Sequence, residues 1–483
     1  MSVSFQGHAG ITGVNRGRVE CDVMELEYDG ELPAGLDGGF YRAGTDAQFP
    51  SRYPADNRWG GDGMITLLRI QGGHVDLKTR YVLTERLKAD RAARRGLFGA
   101  YRNRFTDDPS VRAVDRTTAN TTPVWYAGRL LATKEDGIPY VLDPLTLETR
   151  GRFDFDGKLR SATFSSHPKK DPDNGELVFF GYEASGDAST DIAVCLGSPD
   201  GAELRETWFQ APFNCMMHDF AVSKEHIIFW FMPTTSDLDR LKAGGPHWAW
   251  DETKHTIVGI MPRNGSPAEM RYFNGPPLWS FHVMNAYTAG DKVVCDLAVS
   301  DVNPAVMPRE LFQTPEQLQK SLPYMERCEF DLAGNEDGFK RERFFDLPAE
   351  FCSPDPRWRM KDYRYGFAVA KDVKGRPERH NRLFSPYDML VRFDLKTGEQ
   401  QNYTVDERSS VEEPIFVPRS PDAPEGDGFL ICVCMRPDEF RSDVLVFDTG
   451  RDLAEGPVAT IKLPIQLAPS FHVEFVTGPE LAA

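Results

Sequence analysis

The tetrapeptide Ser-Phe-His-Val occurs twice in this chain, at residues 280–283 and 470–473. His218 stands in a related setting, Met216-Met217-His218-Asp219-Phe220, and His167 follows Phe164-Ser165-Ser166 and precedes Pro168. A histidine that recurs among bulky apolar neighbours, at wide separations, points to equivalent positions in repeated structural units. Neutral imidazoles that converge on one point bind a metal ion. All-nitrogen ligation suits zinc, copper, iron or nickel better than magnesium or calcium. A tetrahedral zinc site is closed and structural, whereas an octahedral iron site keeps two positions open; the spacing does not choose between them. The competing reading of any single histidine is a hydrogen-bonded structural residue. It is the reading given to His8, His74, His226, His247, His255 and His380, which lie in turn-like or charged settings or on strand edges.

Four neutral ligands leave the +2 charge of an ion uncompensated. A metal-bound imidazole commonly gives its other N–H to a carboxylate, which fixes the tautomer and raises ligand basicity. Glu135, Glu350 and Glu413 lie in largely apolar or proline-marked segments and are candidates for that role. Ordinary surface carboxylates are the alternative, as for most of the 73 acidic residues.

These residues need elements to carry them. Strand-like runs recur at 129–134, 176–181, 226–231 and 292–297, each behind a turn signal. A second pattern, strand, Asp, turn, strand, appears around Asp143, Asp394 and Asp448, as expected of the outer hairpins of degenerate propeller blades. Successive candidate histidines are 51, 64 and 190 residues apart. That spacing suits about seven blades of roughly 60–70 residues, longer than the about 40–50 of compact repeats, with the excess in loops. The expectation is an all-β, seven-bladed β-propeller forming one domain over 1–483, with the histidines on inner strands around a central metal site on the axis. Helical or loop insertions at about 89–105, 234–243 and 308–323 would cap one face and line a substrate passage. The last carries apolar residues at Leu311, Phe312, Leu318 and Leu322.

The 483 residues include 56 basic and 73 acidic ones, a net charge of −17, which argues against nucleic-acid binding. No apolar run approaches the roughly 20 residues that span a bilayer, and residues 1–13 lack the basic and apolar regions of a leader. The expectation is a cytoplasmic protein without stable membrane insertion. None of the eight cysteines forms a C-x-x-C pair, so buried free thiols are expected, with Cys432 and Cys434 on one face of a strand.

The motifs together resemble the carotenoid cleavage oxygenases, most closely their stilbene-cleaving branch, the lignostilbene dioxygenases. The resemblance rests on Phe40-Tyr41-Arg42-Ala43-Gly44-Thr45, Gly61-Asp62-Gly63-Met64, Thr163-Phe164-Ser165-Ser166-His167-Pro168, Met217-His218-Asp219-Phe220, Phe281-His282 with Asn285-Ala286-Tyr287, Glu413-Pro414-Ile415-Phe416-Val417-Pro418, and Phe471-His472. It runs across nearly the whole chain. It implies a seven-bladed propeller with one Fe(2+) per chain held by His167, His218, His282 and His472, and backed by Glu135, Glu350 and Glu413. The chain departs from the family pattern at Gly60, Thr288 and Val473, and none of these removes a ligand. In stilbene-cleaving members a tyrosine and a lysine bind the substrate 4-hydroxyl, and Tyr101 and Lys134 match those positions. A lysine ammonium beside a phenol favours the phenolate, which pushes electron density into the conjugated double bond. Trp59 and Phe281 are candidates for the pocket wall. Without the resemblance, Lys134 reads as a partner of Glu135 or a solvated strand residue, and Tyr101 as an aromatic of the cap.

The function expected is therefore that of a non-haem iron dioxygenase with O2 as co-substrate. It would cleave the central C=C bond of a 4-hydroxystilbene, lignin-derived or resveratrol-like, to two aromatic aldehydes. Two other readings stand beside it. An apocarotenoid-cleaving enzyme would use a membrane-facing patch such as Arg94-Arg95-Gly96-Leu97-Phe98. A propeller interaction scaffold would hold a structural metal. The partners expected are a small aromatic substrate and no nucleic acid; a homodimer is kept as a partner state that no residue pattern identifies.

Overall fold

Buried runs such as His226–Phe231 and Leu177–Tyr182 are apolar on both faces, which a strand needs when it is packed between two neighbouring sheets. The alternation along Leu177–Tyr182 shows how. Leu177 and Phe179 join a core with Val124, Leu131 and Phe164 on one side, while Val178 and Phe180 join Phe220, Ile228 and Phe229 on the other. Period-two geometry thus lets one strand serve two cores.

A computed structural model describes residues 17–53 and 58–482. The reading of residues 1–13 as leaderless, and His8, lie outside the described residues. Among these residues the strands form seven blades, each built on four strands and two of them extended by further short ones, a β-propeller as expected. The first blade is Thr122–Tyr126, Arg129–Thr133, Tyr140–Leu142 and Thr149–Arg152; the second is Lys169–Lys170, Leu177–Tyr182, Asp191–Gly197 and Leu204–Gln210. The third is Ala221–Val222, His226–Phe231, Thr256–Pro262 and Arg271–Gly275. The fourth and fifth share one strand of 15 residues, Lys340–Pro354. Its beginning is the outer strand behind Val283–Ala289, Lys292–Val299 and Tyr324–Asp331. After a register shift its end is the inner strand of Tyr365–Ala370, Met389–Asp394 and Gln400–Thr404. The sixth blade is Ile415–Pro418, Gly428–Arg436, Arg441–Asp448 and Ala459–Lys462.

The seventh closes the ring. The late strand Ser470–Thr477 is innermost and pairs antiparallel with Gly38–Thr45, Phe40 opposite Phe475, followed outward by Gly63–Gln71 and His74–Tyr81. A second closure joins Tyr28–Gly30 to Ala459–Lys462 on the sixth blade. Early and late strands are thereby paired, and among the described residues the ring has no open seam.

The insertions carry the helices. Helix Glu85–Ala93 starts at Thr84, whose hydroxyl accepts the Leu87 N–H at 3.1 Å, and ends at Arg94 in a left-handed conformation. Residues 234–243 are only partly helical: Thr234–Thr235 is a strand against Ala249–Trp250, and the helix is confined to Leu238–Lys242. In 308–323 the helix is Pro315–Lys320; Phe312, Leu318 and Leu322 are buried, while Leu311 is exposed. Leu97 and Phe98 are also buried, packed with Val111, so they are not free to enter a lipid surface. Among the described residues no helix is long and apolar enough to cross a membrane. All eight cysteines are free and seven are buried; Cys432 and Cys434 face the same core.

Candidate metal centre and substrate cavity

The innermost strands converge on the axis and bring one residue from each blade with them. His167, His218 and His282 stand in the turns just before the inner strands of the second, third and fourth blades, rather than within those strands; His472 lies within Ser470–Thr477. One ring nitrogen from each lies within 4.8 Å of the corresponding nitrogens of the other three. His167 Nε2 is 3.1 Å from His218 Nε2, and His282 Nε2 is 3.2 Å from His472 Nε2.

The other three blades supply carboxylates. Glu135 follows the second strand of the first blade, Glu350 lies on the inner strand of the fifth, and Glu413 precedes the inner strand of the sixth. Each meets one histidine from behind. Nδ1 of His218 is 2.8 Å from Glu135 Oε2, Nδ1 of His472 is 3.0 Å from Glu413 Oε1, and Nδ1 of His282 contacts Glu350. The carboxylates are held in turn: Ser166 Oγ donates to Glu135, Val473 N–H to Glu413 and Phe351 N–H to Glu350. Two further acids hold the strand entries. Asp219 accepts the N–H groups of Phe220 and Val283, both at 2.8 Å. Glu412 takes two hydrogen bonds from buried Arg42 and one from Ser470 N–H, which ties Phe40-Tyr41-Arg42 to the strand of His472.

Electrostatics and geometry test whether this cluster fits a metal. With Nδ1–H given to a carboxylate, Nε2 presents a lone pair. Lone pairs 3.1 and 3.2 Å apart repel unless a cation lies among them. Metal–nitrogen bonds of about 2.0–2.1 Å put nitrogens at right angles about 3 Å apart, so the donor set fits a metal. Burial, reinforced by the other imidazoles, holds His167 and His282 well below the usual histidine range. Burial opposes ionisation of Glu135, but His218 and Arg102 outweigh it and keep this carboxylate charged.

On one side of the histidines lies a cavity of about 200 Å³. Trp59, Trp279, Phe281, Leu322, Phe351 and Phe471 give it a largely apolar wall. Trp59 makes edge contacts with Tyr101 and Phe281, ring centres 5.5 and 6.1 Å apart, and Phe281 lies edge-on to His218 at 5.5 Å. Tyr101 and Lys134 both line the cavity. Lys134 is neither solvated nor paired with Glu135. Its Nζ donates to the Trp59 carbonyl and to Thr118 Oγ1, both at 2.7 Å, and sits 5.3 Å from the Tyr101 ring centre. Tyr101 OH donates to Glu135 Oε1 at 3.3 Å. Desolvation lowers Lys134 to about 8, against the opposing pull of Asp136 at 3.9 Å. Burial, then the charge of Glu135, holds the Tyr101 phenol well above its usual value, so it stays a donor.

The glycines of Gly61-Asp62-Gly63 serve this lysine indirectly. A Cβ on Gly63 would lie 2.6 Å from the Thr118 carbonyl oxygen, so only glycine lets the two segments touch. Asn120 Nδ2 ties the Trp59 and Gly61 carbonyls at 2.9 and 2.7 Å.

Sequence reasoning passed over several residues. His247 is buried, not turn-like: its Nε2 meets Glu183 at 2.9 Å and its Nδ1 the Arg102 carbonyl at 2.9 Å. Arg102 donates to Glu183 and Tyr182, both at 2.7 Å, which anchors the segment carrying Tyr101. Lys371 and Tyr387 also line the cavity. Nothing in the local run Ala370-Lys371-Asp372 marks this lysine as buried.

Comparisons with known proteins place the fold in a family. Residues 15–477 match the model of the retinal pigment epithelial membrane protein family. The isoeugenol monooxygenase of Pseudomonas nitroreducens is 43% identical, the match covering 96% of each chain. The lignostilbene-alpha,beta-dioxygenase isozyme III of Sphingomonas paucimobilis is 38% identical over 99% of each. The crystal structure of Pseudomonas brassicacearum lignostilbene dioxygenase superimposes with a TM-score of 0.92 at 37% identity, covering 99% of this chain and 100% of that one. The family is a class of non-haem iron oxygenases, and the four-histidine cluster is a place where such a metal can be held. The chain belongs to this family, the carotenoid cleavage oxygenases, and is an oxygenase that cleaves carbon–carbon double bonds.

Proposed function

We propose that the enzyme cleaves the central double bond of a 4-hydroxystilbene to two aromatic aldehydes, with one Fe(2+) and O2. The observation that carries this reading is a buried lysine and tyrosine side by side in a largely apolar cavity next to the histidine cluster. A hydrocarbon substrate has no use for them. His167, His218, His282 and His472 would hold the iron, with Glu135, Glu350 and Glu413 fixing three of the imidazoles. Iron(II) bound there supplies the dioxygen chemistry.

The chain's own residues prepare the alkene. Lys134 spends two of its protons on the Trp59 carbonyl and Thr118. As an amine, near its titration point of about 8, it accepts the substrate's phenolic proton. As the resulting ammonium it faces the phenolate. Tyr101, kept protonated, donates to the same oxygen when it turns from Glu135. The paired charge favours the phenolate and sends electron density through the ring into the alkene. Trp59 and Phe281 flank the path and exclude water.

The similarity to an isoeugenol monooxygenase favours a second reading, a 4-hydroxyphenylpropene as substrate, because such a compound presents the same phenol to Lys134. The stilbene reading is preferred because the cavity extends to Leu383, Phe384 and Tyr387, space a second ring fills and a propenyl group leaves empty. An apocarotenoid reading loses its proposed lipid patch to the burial of Leu97 and Phe98.

Oxygen uptake by iron-loaded protein, with products separated by chromatography, tests this. Uptake and paired aldehydes are expected from 4-hydroxystilbene and not from stilbene itself. Turnover of isoeugenol alone, or cleavage indifferent to the hydroxyl group, would overturn the proposal.

A further inference from the structure

Lys134 is the residue immediately after the second strand of the first blade, Arg129–Thr133. Lys371 is the residue immediately after the second strand of the fifth blade, Tyr365–Ala370. The two lysines therefore occupy the same position in their respective blades. The first and fifth blades are three of seven steps apart around the ring, which places the lysines on nearly opposite sides of the axis. Both line the same cavity. Lys134 is 4% exposed and Lys371 is 5% exposed. Each also has a tyrosine beside it, Lys134 Nζ 5.3 Å from the Tyr101 ring centre and Lys371 Nζ 5.0 Å from that of Tyr387.

The pairs differ in one respect. Lys134 Nζ has two protein acceptors. Among the described residues Lys371 Nζ has the Tyr387 ring as its close contact and no hydrogen-bond acceptor. A buried ammonium without an acceptor is costly, and the cavity is where one can be delivered. The segment is held firmly enough to be a binding surface. Asp388, fully buried, accepts from His380 Nε2 at 3.1 Å and from Arg376 at 3.3 Å, and Asp388 N–H bonds the Ala370 carbonyl at 3.2 Å. Desolvation lowers Lys371 to about 8, with Asp388 and then Glu350 pulling the other way.

We propose that Lys371 and Tyr387 form a second oxygen-binding subsite across the axis from Lys134, which takes an acidic oxygen, phenol or carboxylate, on the second ring of the substrate. This rests on the stilbene-cleaving reading for its first ring and adds the substrate class: a diaryl alkene with an oxygen substituent at both ends. The site is thus two-ended, as such a molecule is. A substrate without the second ring would gain nothing from Lys371.

Saturated 1,2-diarylethanes carrying one 4-hydroxyl, and hydrogen, hydroxyl or carboxylate at the 4′ position, test the subsite without turnover. Their binding to iron-loaded protein is measured by titration calorimetry for the natural chain, Lys371→Met and Tyr387→Phe. The natural chain is expected to prefer the 4′-carboxylate to the 4′-hydrogen compound by about tenfold, the scale of one hydrogen bond to a charged group, with the 4′-hydroxyl compound between them. Lys371→Met should abolish the preference and Tyr387→Phe should reduce it. Equal binding of the three compounds by the natural chain, or none, overturns the subsite. An equal loss for all three in Lys371→Met does so too, marking Lys371 as a structural partner of Asp388. Because the readout is a ratio, a partly unfolded variant does not mimic the expected result. Cleavage of 4-hydroxystilbene is scored separately: preference without cleavage leaves the subsite standing and removes the stilbene-cleaving reading, and cleavage without preference does the reverse.

Discussion

The histidine centre and the cavity beside it are built by opposite means. Every blade gives the centre one residue from its axial end: Glu135, His167, His218, His282, Glu350, Glu413 and His472, in chain order. Its polar groups answer one another, imidazole to carboxylate and carboxylate to backbone N–H. The cavity adds to residues at repeated blade positions, such as Lys134 and Lys371, others from loops and insertions with no common pattern, among them residues 59, 101, 322 and 387. Its wall is mostly apolar, and Lys371 is left to face whatever enters. The contrast is a division of labour. Repetition secures a fixed metal geometry, and irregular loops set what is brought to it.

The sharpest way to break that division is His282→Ala. It removes one of two nitrogens 3.2 Å apart and leaves Glu350 buried without its partner. Bound iron and oxygen uptake should vanish together, while calorimetry should still detect binding of a 4-hydroxylated diarylethane through Lys134. Iron retained at full stoichiometry would show that His282 is not a ligand. Loss of phenol binding along with the iron would show that the two regions are one unit.

Lys134→Met attacks the other side. Turnover of 4-hydroxystilbene should fall by about 10² or more, the usual weight of a positioned proton acceptor, with iron content unchanged. The pH dependence gives a sharper signature. The groups around Lys134 are Asp136 and Glu135, which favour its charge, and Arg86 and Arg102, which oppose it; desolvation dominates and sets its titration near 8. The amine is the form that takes the phenolic proton, so kcat/KM should rise with pH through about 8. It should fall again above about 10, where a free phenol loses its own proton. Lys134→Met should lose the rising limb. A rising limb that persists in the variant would assign it to another group.

The same contrast explains what could be read from the sequence. His282 and His472 announce themselves because equivalent blade positions repeat Ser-Phe-His-Val, and the outer hairpins around Asp143, Asp394 and Asp448 repeat for the same reason. The turn placement of His167, His218 and His282 was not legible, since a strand pattern does not say on which residue pairing begins. Lys134 and Tyr101 were reached through family resemblance, because Tyr101 lies in an insertion and nothing local marks Lys134, at the end of the strand Arg129–Thr133, as facing a cavity. Lys371 escapes notice, and His247 reads as a structural histidine without its burial being foreseen. Each stands in a stretch that reads as a turn, and each is buried beside a distant segment, the one held by Asp388 N–H on the Ala370 carbonyl and the other by Glu183 on the imidazole. Periodicity reports burial within an element and is silent about burial under a loop.

A milder substitution, Glu413→Gln, asks how far the centre's own polar network matters once all four imidazoles are present. Glu413 lies outside the cavity lining, and among the described residues its carboxylate accepts from the strand of His472, Nδ1 at 3.0 Å and the Val473 N–H at 2.8 Å. Glutamine keeps the shape and one acceptor but removes the charge that raises the basicity of His472. Iron affinity should drop by about 10–100-fold, measured by competition with a chelator, while KM for the hydroxylated stilbene at saturating iron stays as it was. If KM rises instead and iron affinity holds, a residue confined to the centre is shaping the cavity, and the separation between repeated core and irregular wall fails at its most favourable point.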